Sequence, residues 1–355
     1  MKKYMDLEDM SQVNCSSVLR VIQDYGEISR KQISEITGLS WGGMTKIVNK
    51  LFEHEYLVEE KNAASGGTGR IPGMLSIRQD KHFVAGVDIN KTGLCAYVTD
   101  LSGRIKRKYF EENIFEDKEE LLQNIIVFFQ KIFQEFDDNK IEAAGIAMQG
   151  GIDAEHGISV SFPGCKNWRD VPLIHILKEQ FHTRLYLEHD PDCMLCSELE
   201  HADMGNLILF RIDQSIGMAV SLNGDILRGK GILEVAHSIV IPGGKPCNCG
   251  KSGCLEAYIE PCIRNGQIDE KAVEEMICPL AVAIYNMACI FNADTIILTG
   301  NLMKFSSLFE KKLLMELENM QGGKKPEVRF HDDTTSAVRG AALIAARHAI
   351  DTIKL

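Results

Sequence analysis

Cys247, Cys249 and Cys254 fall within one short stretch, Pro246-Cys247-Asn248-Cys249-Gly250-Lys251-Ser252-Gly253-Cys254, and His237 lies just upstream. Three thiolates and an imidazole complete a tetrahedral Zn²⁺ set with no position left open for a substrate, which is the pattern of a structural zinc rather than a catalytic one. Gly250 and Gly253 let the backbone fold tightly around a single point. The bland alternative is three incidental cysteines in a reducing compartment. Two cysteines one residue apart in a glycine turn are hard to explain as core packing. A second stretch, Glu188-His189-Asp190-Pro191-Asp192, gathers carboxylates and an imidazole. Such groups suit vicinal hydroxyls, because each accepts or donates several hydrogen bonds at fixed angles.

These groups need elements to hold them. Arg184 to Leu187 reads as a strand that delivers Glu188, and Asp190-Pro191 opens a helix with Asp190 as N-cap and proline at the favoured first position. His237 is followed by Ser238 to Ile241, which reads as a strand, and then by a Pro-Gly-Gly turn. Cys193-x-x-Cys196 could be a redox pair, but its place on the predicted helix favours packing.

The first eighty residues follow a different plan. Val18, Leu19, Ile22 and Tyr25 recur at helical spacing until Gly26. Ser29-Arg30-Lys31-Gln32 is a capping box for a second helix that runs to Thr37 and the turn Gly38-Leu39. Ser40 caps a third helix with Met44, Ile47, Val48 and Leu51 inward. A short helix, a glycine turn and a second capped helix form a helix-turn-helix. Tyr56 to Glu60, the loop tip Gly66 to Gly69 and the return Gly73 to Ile77 form a wing. Trp41, Gly42, Thr45, Lys46 and Asn49 would then face a major groove beside the capping Ser40, with Arg30, Lys31 and Lys50 near phosphates. Arg70 on the wing could reach a minor groove. A winged helix used only for protein contacts is the alternative.

Beyond it, His82 to Ile89 is a buried-type strand, followed by the strand Leu94 to Thr99, a third strand, the amphipathic helix Lys118 to Phe136 and the apolar strand Ala143 to Met148. A similar order recurs from Asn206 to Thr295-Ile296-Ile297-Leu298. Two strand-rich units with crossover helices predict two α/β lobes.

Composition limits the rest. A chain of 355 residues needs two or three domains. Apolar content of 45% and charged content of 25% are those of a globular protein. No apolar run looks long enough to span a bilayer, and Met1 to Asp9 lacks the apolar core of a signal peptide. Eleven cysteines, an odd number, argue for free thiols in a cytoplasm. The net charge of −11 argues against DNA, yet Ser11 to Gln79 carries eight Lys/Arg against seven Asp/Glu. A near-neutral head on an acidic body is compatible with DNA binding by the head alone.

The run Cys-x-Cys-Gly-x-x-Gly-Cys-x-Glu ending at Glu256, with Glu234-x-x-His237 before it, resembles the signature of the ROK family of sugar kinases and sugar-responsive repressors. The resemblance extends from about residue 82 onward, and the head looks like that of the family's regulator branch. It implies an actin-like, two-lobed α/β sugar kinase fold preceded by a winged helix-turn-helix. The expected division is a DNA-binding domain over 1–80, a first lobe over 81–202, a second lobe with the zinc loop over 203–333, and a helix in 334–355 returning to the first lobe.

By the same resemblance Asp190 matches the family's catalytic base, and His189 replaces a sugar-binding asparagine, which suggests an acidic or phosphorylated ligand. Glu234, His237 and Glu256 match hydroxyl-binding residues, and Gly150 the loop beside the sugar. The family's glycine-rich phosphate loops are altered here to Asp88-Ile89-Asn90-Lys91-Thr92-Gly93, Asp213-Gln214-Ser215-Ile216-Gly217 and Thr299-Gly300-Asn301. Glycine lets backbone N–H groups approach phosphate, and Asp213 adds a repelling carboxylate. The resemblance therefore implies a non-catalytic, sugar-responsive regulator, a repressor with structural Zn²⁺, operator DNA and a sugar as partners, and a homodimer or homotetramer. An ATP-dependent sugar kinase is the alternative.

Overall fold

The computed structural model describes residues 7–60, 73–136, 140–200, 205–213, 215–228, 231–264, 270–304, 307–320, 325–353 and 355. They divide into two compact units. The first unit opens with helix α1 (Leu7–Tyr25), strand β1 (Ile28–Ser29), helices α2 (Arg30–Thr37) and α3 (Trp41–Glu53), and strands β2 (Leu57–Glu60) and β3 (Met74–Ile77). The strands form an antiparallel sheet in the order β1-β3-β2, with Leu57 opposite Ile77. Both expected caps form: the Ser29 and Gln32 side chains each bond the other's backbone N–H, and Ser40 Oγ accepts from Gly43 N. Gly38 closes α2 in the left-handed region at φ 69°, where a side chain would be strained. The expected wing tip, Gly66 to Gly69, lies outside the described residues.

The same unit holds β4 (Phe83–Ile89), β5 (Gly93–Asp100), β6 (Ile105–Glu112), α4 (Lys118–Phe136) and β7 (Ile141–Met148). After β8 (Ile152–Asp153), which belongs to the second unit, come β9 (Ile158–Ser161), β10 (Arg169–Val171), α5 (Leu173–Lys178) and β11 (Arg184–His189). The sheet order is β11-β7-β4-β5-β6, antiparallel from β4 through β6 and parallel between β4 and β7.

The second unit contains α6 (Asp190–Leu199), β12 (Leu207–Ile212), β13 (Ile216–Leu222), β14 (Asp225–Ile226), α7 (Glu256–Arg264), α8 (Glu270–Phe291), β15 (Thr295–Thr299), α9 (Ser307–Asn319) and β16 (Glu327–His331). Its sheet, β14-β13-β12-β15-β16, repeats the first: an antiparallel meander followed by parallel strands reached through helices. The predicted duplication is present. Helix α6, expected with the first lobe, belongs to this unit because it packs on β12 and β13. Gly217 permits that approach, since a Cβ there would lie 2.7 Å from Pro191 Cγ.

Helix α8 corrects one expectation. It is long and apolar enough to cross a membrane by length and composition. Its Val273, Met276, Ile277, Leu280 and Ile284 are instead buried in the unit's core. Cys193 and Cys196 are likewise fully buried, as packing requires.

The last helix, α10 (Ser336–Asp351), returns to the first unit from Ala341 onward. Gly145 of β7 lets it approach, because a Cβ there would sit 2.2 Å from the Ala341 carbonyl oxygen. Ala345, Ala346, Ala349 and Ile350 share one apolar cluster with Val18, Leu19 and Ile22 of α1 and with Met44 and Val48 of α3. Polar bonds frame this joint. Ser16 Oγ donates to the Ile350 carbonyl at 2.8 Å, and Arg20 pairs with Asp351. The Tyr56 hydroxyl donates to Glu142, and its ring stacks on His82 at 3.7 Å.

Candidate functional site

Helix α3 is anchored by Met44, Ile47, Val48 and Leu51, all buried, as its periodicity predicts. That burial turns Trp41, Gly42, Lys46 and Asn49 to solvent, with Trp41 60% exposed. Thr45 is half-buried, and its hydroxyl donates to the Trp41 carbonyl. Ser40 is exposed but committed to its cap. Lys31 is exposed, at 3.8 Å from Glu35. Arg30 is placed differently from Lys31: both its terminal nitrogens are held by the Glu59 carboxylate, and its guanidinium lies over the Phe52 ring. Arg70 lies outside the described residues.

The second unit brings His237, Cys247, Cys249 and Cys254 together, with one donor atom of each within 4.8 Å of the others. Cys249 Sγ and Cys254 Sγ are 3.6 Å apart, and Cys247 Sγ is 3.7 Å from His237 Nδ1. Ligands at zinc–sulfur distances in a tetrahedron stand about 3.8 Å apart, so the donor set fits a metal ion of that kind. Backbone bonding builds the loop: Val240 N and Ile241 N both donate to the Gly253 carbonyl, and Gly253 N donates to Lys245. The expected strand Ser238 to Ile241 is therefore absent. His237 ends a short 3₁₀ turn (Val235–His237), and Ile239 makes only an isolated bridge with Cys254. The Lys251 backbone N–H holds the Cys249 thiol below its usual value, whereas burial pushes Cys254 up to about 11. Glu256 Oε2 stands 3.5 Å from His237 Nδ1 and 3.9 Å from Cys247 Sγ, at the edge of a cavity of about 360 Å³ that Glu260 also lines. Glu234 is exposed at the start of the 3₁₀ turn, and Gly150 adopts φ 97°.

The end of β11 forms the third constellation. Glu188, His189 and Asp190 are all buried. Asp190 is not the N-cap: the helix begins at Asp190 itself, His189 occupies the cap position, and no side chain caps it. The Asp190 carboxylate is drawn away by Arg211, whose guanidinium pairs with it and also with Asp213 at 2.7 Å. Sequence reading missed Arg211, because its place on β12 looks like an ordinary strand position. Arg228 pairs with Glu188 at 3.3 Å. Burial, and then the Arg211 charge, lower the His189 imidazole to about 3, so it is neutral. Its Nε2 lies 3.6 Å from Asp190, and its Nδ1 is buried without a hydrogen-bond partner among the described residues. Burial and then Glu188 raise Asp192 to about 7.

Asp213 was expected to act as a bare repelling charge. It is paired with Arg211, and its Oδ1 accepts the Asn301 backbone N–H at 2.6 Å. In the first unit the β4–β5 turn is closed in the same way. Asn90 Oδ1 accepts from Thr92 N and Gly93 N, and Gln149 accepts from Lys91 N. These backbone donors are all bonded to side chains.

Residues 84–265 match the ROK family. The chain belongs to the ROK family. It is 24% identical over 348 residues to a xylose repressor of Caldicellulosiruptor bescii, covering 86% of this chain and 87% of that protein. It is 27% identical over 257 residues to the DNA-binding transcriptional repressor Mlc of Escherichia coli, covering 70% and 63% respectively. Among solved structures, a ROK family transcriptional regulator homologous to that repressor aligns over 96% of this chain and 97% of its own, with a TM-score of 0.79 and 18% identity. That likeness supports the ROK kinase-type fold with an additional N-terminal head.

Proposed function

We propose that this ROK family chain is a sugar-responsive DNA-binding regulator, a repressor, which holds a sugar in a kinase-like site without phosphorylating it. The observation that carries this reading is α3, capped and anchored so that Trp41, Gly42, Lys46 and Asn49 face outward. Arg70 is assigned to the minor groove, and Arg30, engaged by Glu59, to holding the head's shape. Gly150, His189, Asp190, Glu234, His237 and Glu256 are assigned to the sugar, with Asp190 as a fixed acceptor rather than a base. His237, Cys247, Cys249 and Cys254 would hold one structural Zn²⁺, which supplies cross-linking of the loop.

Regulation follows by linkage: a sugar that prefers one arrangement of the heads shifts the population away from operator. Two-fold related heads in a homodimer or homotetramer would read a palindromic site. The setting is the cytoplasm.

The test is selection of DNA from a random duplex pool, followed by gel-shift titration of wild type and Lys46→Ala. Wild type should enrich one palindromic sequence, and Lys46→Ala should weaken binding by roughly 1–3 kcal/mol if it reads a base. No enrichment of any sequence would overturn the reading. The kinase alternative is tested by sugar-dependent ADP release, which is expected to be absent. The bonded amides of the β4–β5 turn and of Asn301 support that expectation.

A further inference from the structure

We propose that Arg211 makes the site at the end of β11 select an uncharged sugar and reject the same sugar carrying a phosphate. The inference rests on the sugar-binding reading above and names its ligand class.

The argument begins with what an anion would need. A phosphate is held by guanidinium or ammonium groups or by unbonded backbone N–H groups. Both guanidiniums described at this site, and the backbone N–H of Asn301, already have a carboxylate partner. The Arg211 guanidinium lies between Asp190 and Asp213. Arg228 is held by Glu188. The Asn301 N–H is held by Asp213 Oδ1. Three carboxylates, Glu188, Asp190 and Asp213, face two guanidiniums, and all three are at least nine-tenths buried. Asp192 adds a further partial negative charge near neutral pH. A phosphate dianion placed here would meet excess negative charge in a poorly solvated setting and would have to break an existing pair to find a cation.

A hydroxyl meets a different set of partners. His189 is 5% exposed, it is neutral, and its Nδ1 has no partner among the described residues. A neutral imidazole offers that nitrogen to a hydroxyl as donor or acceptor without any change of charge. The Asp190 carboxylate, pinned by Arg211 beside the imidazole, presents a fixed acceptor. Arg211 thus has two effects: it makes Asp190 tolerable in a buried position, and its own charge is spent doing so. An acidic or phosphorylated ligand, expected from His189 alone, is disfavoured by the arginine beside it.

The experiment is calorimetric titration of the full chain with D-xylose, D-glucose and N-acetyl-D-glucosamine, and with the phosphate ester of each. At least one uncharged sugar should bind, and its ester should bind roughly tenfold more weakly or not at all. The same titrations on Asp213→Asn sharpen the test, since asparagine keeps an acceptor for the Asn301 N–H but releases one edge of the guanidinium. The ratio of sugar to ester affinity should fall roughly fivefold in that variant. An ester that binds wild type as tightly as its parent sugar overturns the inference and leaves the sugar-binding reading standing. A wild-type ratio that persists unchanged in Asp213→Asn removes Arg211 from the explanation. If none of the six compounds binds, the sugar-binding reading falls, and the inference falls with it.

Discussion

The cysteine loop and the end of β11 both crowd acidic groups into the second unit, and they differ in the partners the chain itself gives those groups. The loop sets three thiols and an imidazole within 4.8 Å, with no Lys or Arg among the four donors. The strand end sets Asp190 and Asp213 around Arg211, a cation covalently part of the chain. On the proposed zinc reading the first cluster is completed by something bound, whereas the second is completed by something encoded. The first should therefore depend on metal supply and be indifferent to local charge substitutions. The second should behave in the opposite way.

The largest effect that can break this comparison comes from the loop. Cys249→Ser, or prolonged chelation of the wild type, should remove about one zinc per chain and cost on the order of 10 kcal/mol of folding free energy. Metal analysis combined with thermal unfolding measures both. A loop that keeps its fold and melting temperature without metal would erase the distinction between the two clusters.

At the strand end, Arg211→Met should leave Asp190 and Asp213 buried without a cation and destabilise the chain by about 3–5 kcal/mol in urea unfolding. Zinc content should not change. Adding Asp213→Asn to that variant should recover part of the loss, because one of the two buried, uncompensated charges is then gone. If the single variant is as stable as wild type, the guanidinium is not what holds the carboxylates.

A smaller and more local effect tests Asp192. Its folded value of about 7 lies above the 3.8 of an ordinary carboxyl, so the native state binds the proton more tightly than the unfolded chain does. Stability from this group therefore falls as pH rises from about 4 to about 7, and the cost is fully present above that. Asp192→Asn should stabilise the chain by on the order of 2 kcal/mol at about pH 8 and by almost nothing at about pH 4. Chemical unfolding at the two pH values gives the difference. An equal gain at both would mean that the carboxyl is ionised throughout and that burial does not govern it.

What could be read beforehand follows from how far each feature reaches along the chain. The Ser29 box, the Ser40 cap and the buried stripe of α3 are made within a few residues, and all appear as expected. The four donor groups of the cysteine loop were recognisable because a spacing of one and a glycine turn constrain them locally. Ser238 to Ile241 has strand-like residues, but the Val240 and Ile241 N–H groups are taken by the Gly253 carbonyl, a partner no propensity discloses. The Arg30–Glu59 pair and the Arg211–Asp190 pair were hidden for the same reason. Each joins separate elements, and nothing in the local pattern marks either arginine as engaged. Asp190 as an N-cap failed because a stronger, distant cation outcompeted the nearby backbone N–H groups.

The joint between α1 and α10 has a consequence for the order in which the molecule comes into being. Ser16 and Ile350, bonded to each other, are separated by 334 positions. At synthesis rates of about 5–20 residues per second, α1 leaves the ribosome on the order of tens of seconds before α10 exists. Throughout that interval Val18, Leu19 and Ile22 lack the alanine-rich surface that covers them in the finished chain. The head can form its own local helices early, but its seating on the body is completed last. A newborn chain cannot hold its recognition surface in its final orientation until its body is complete.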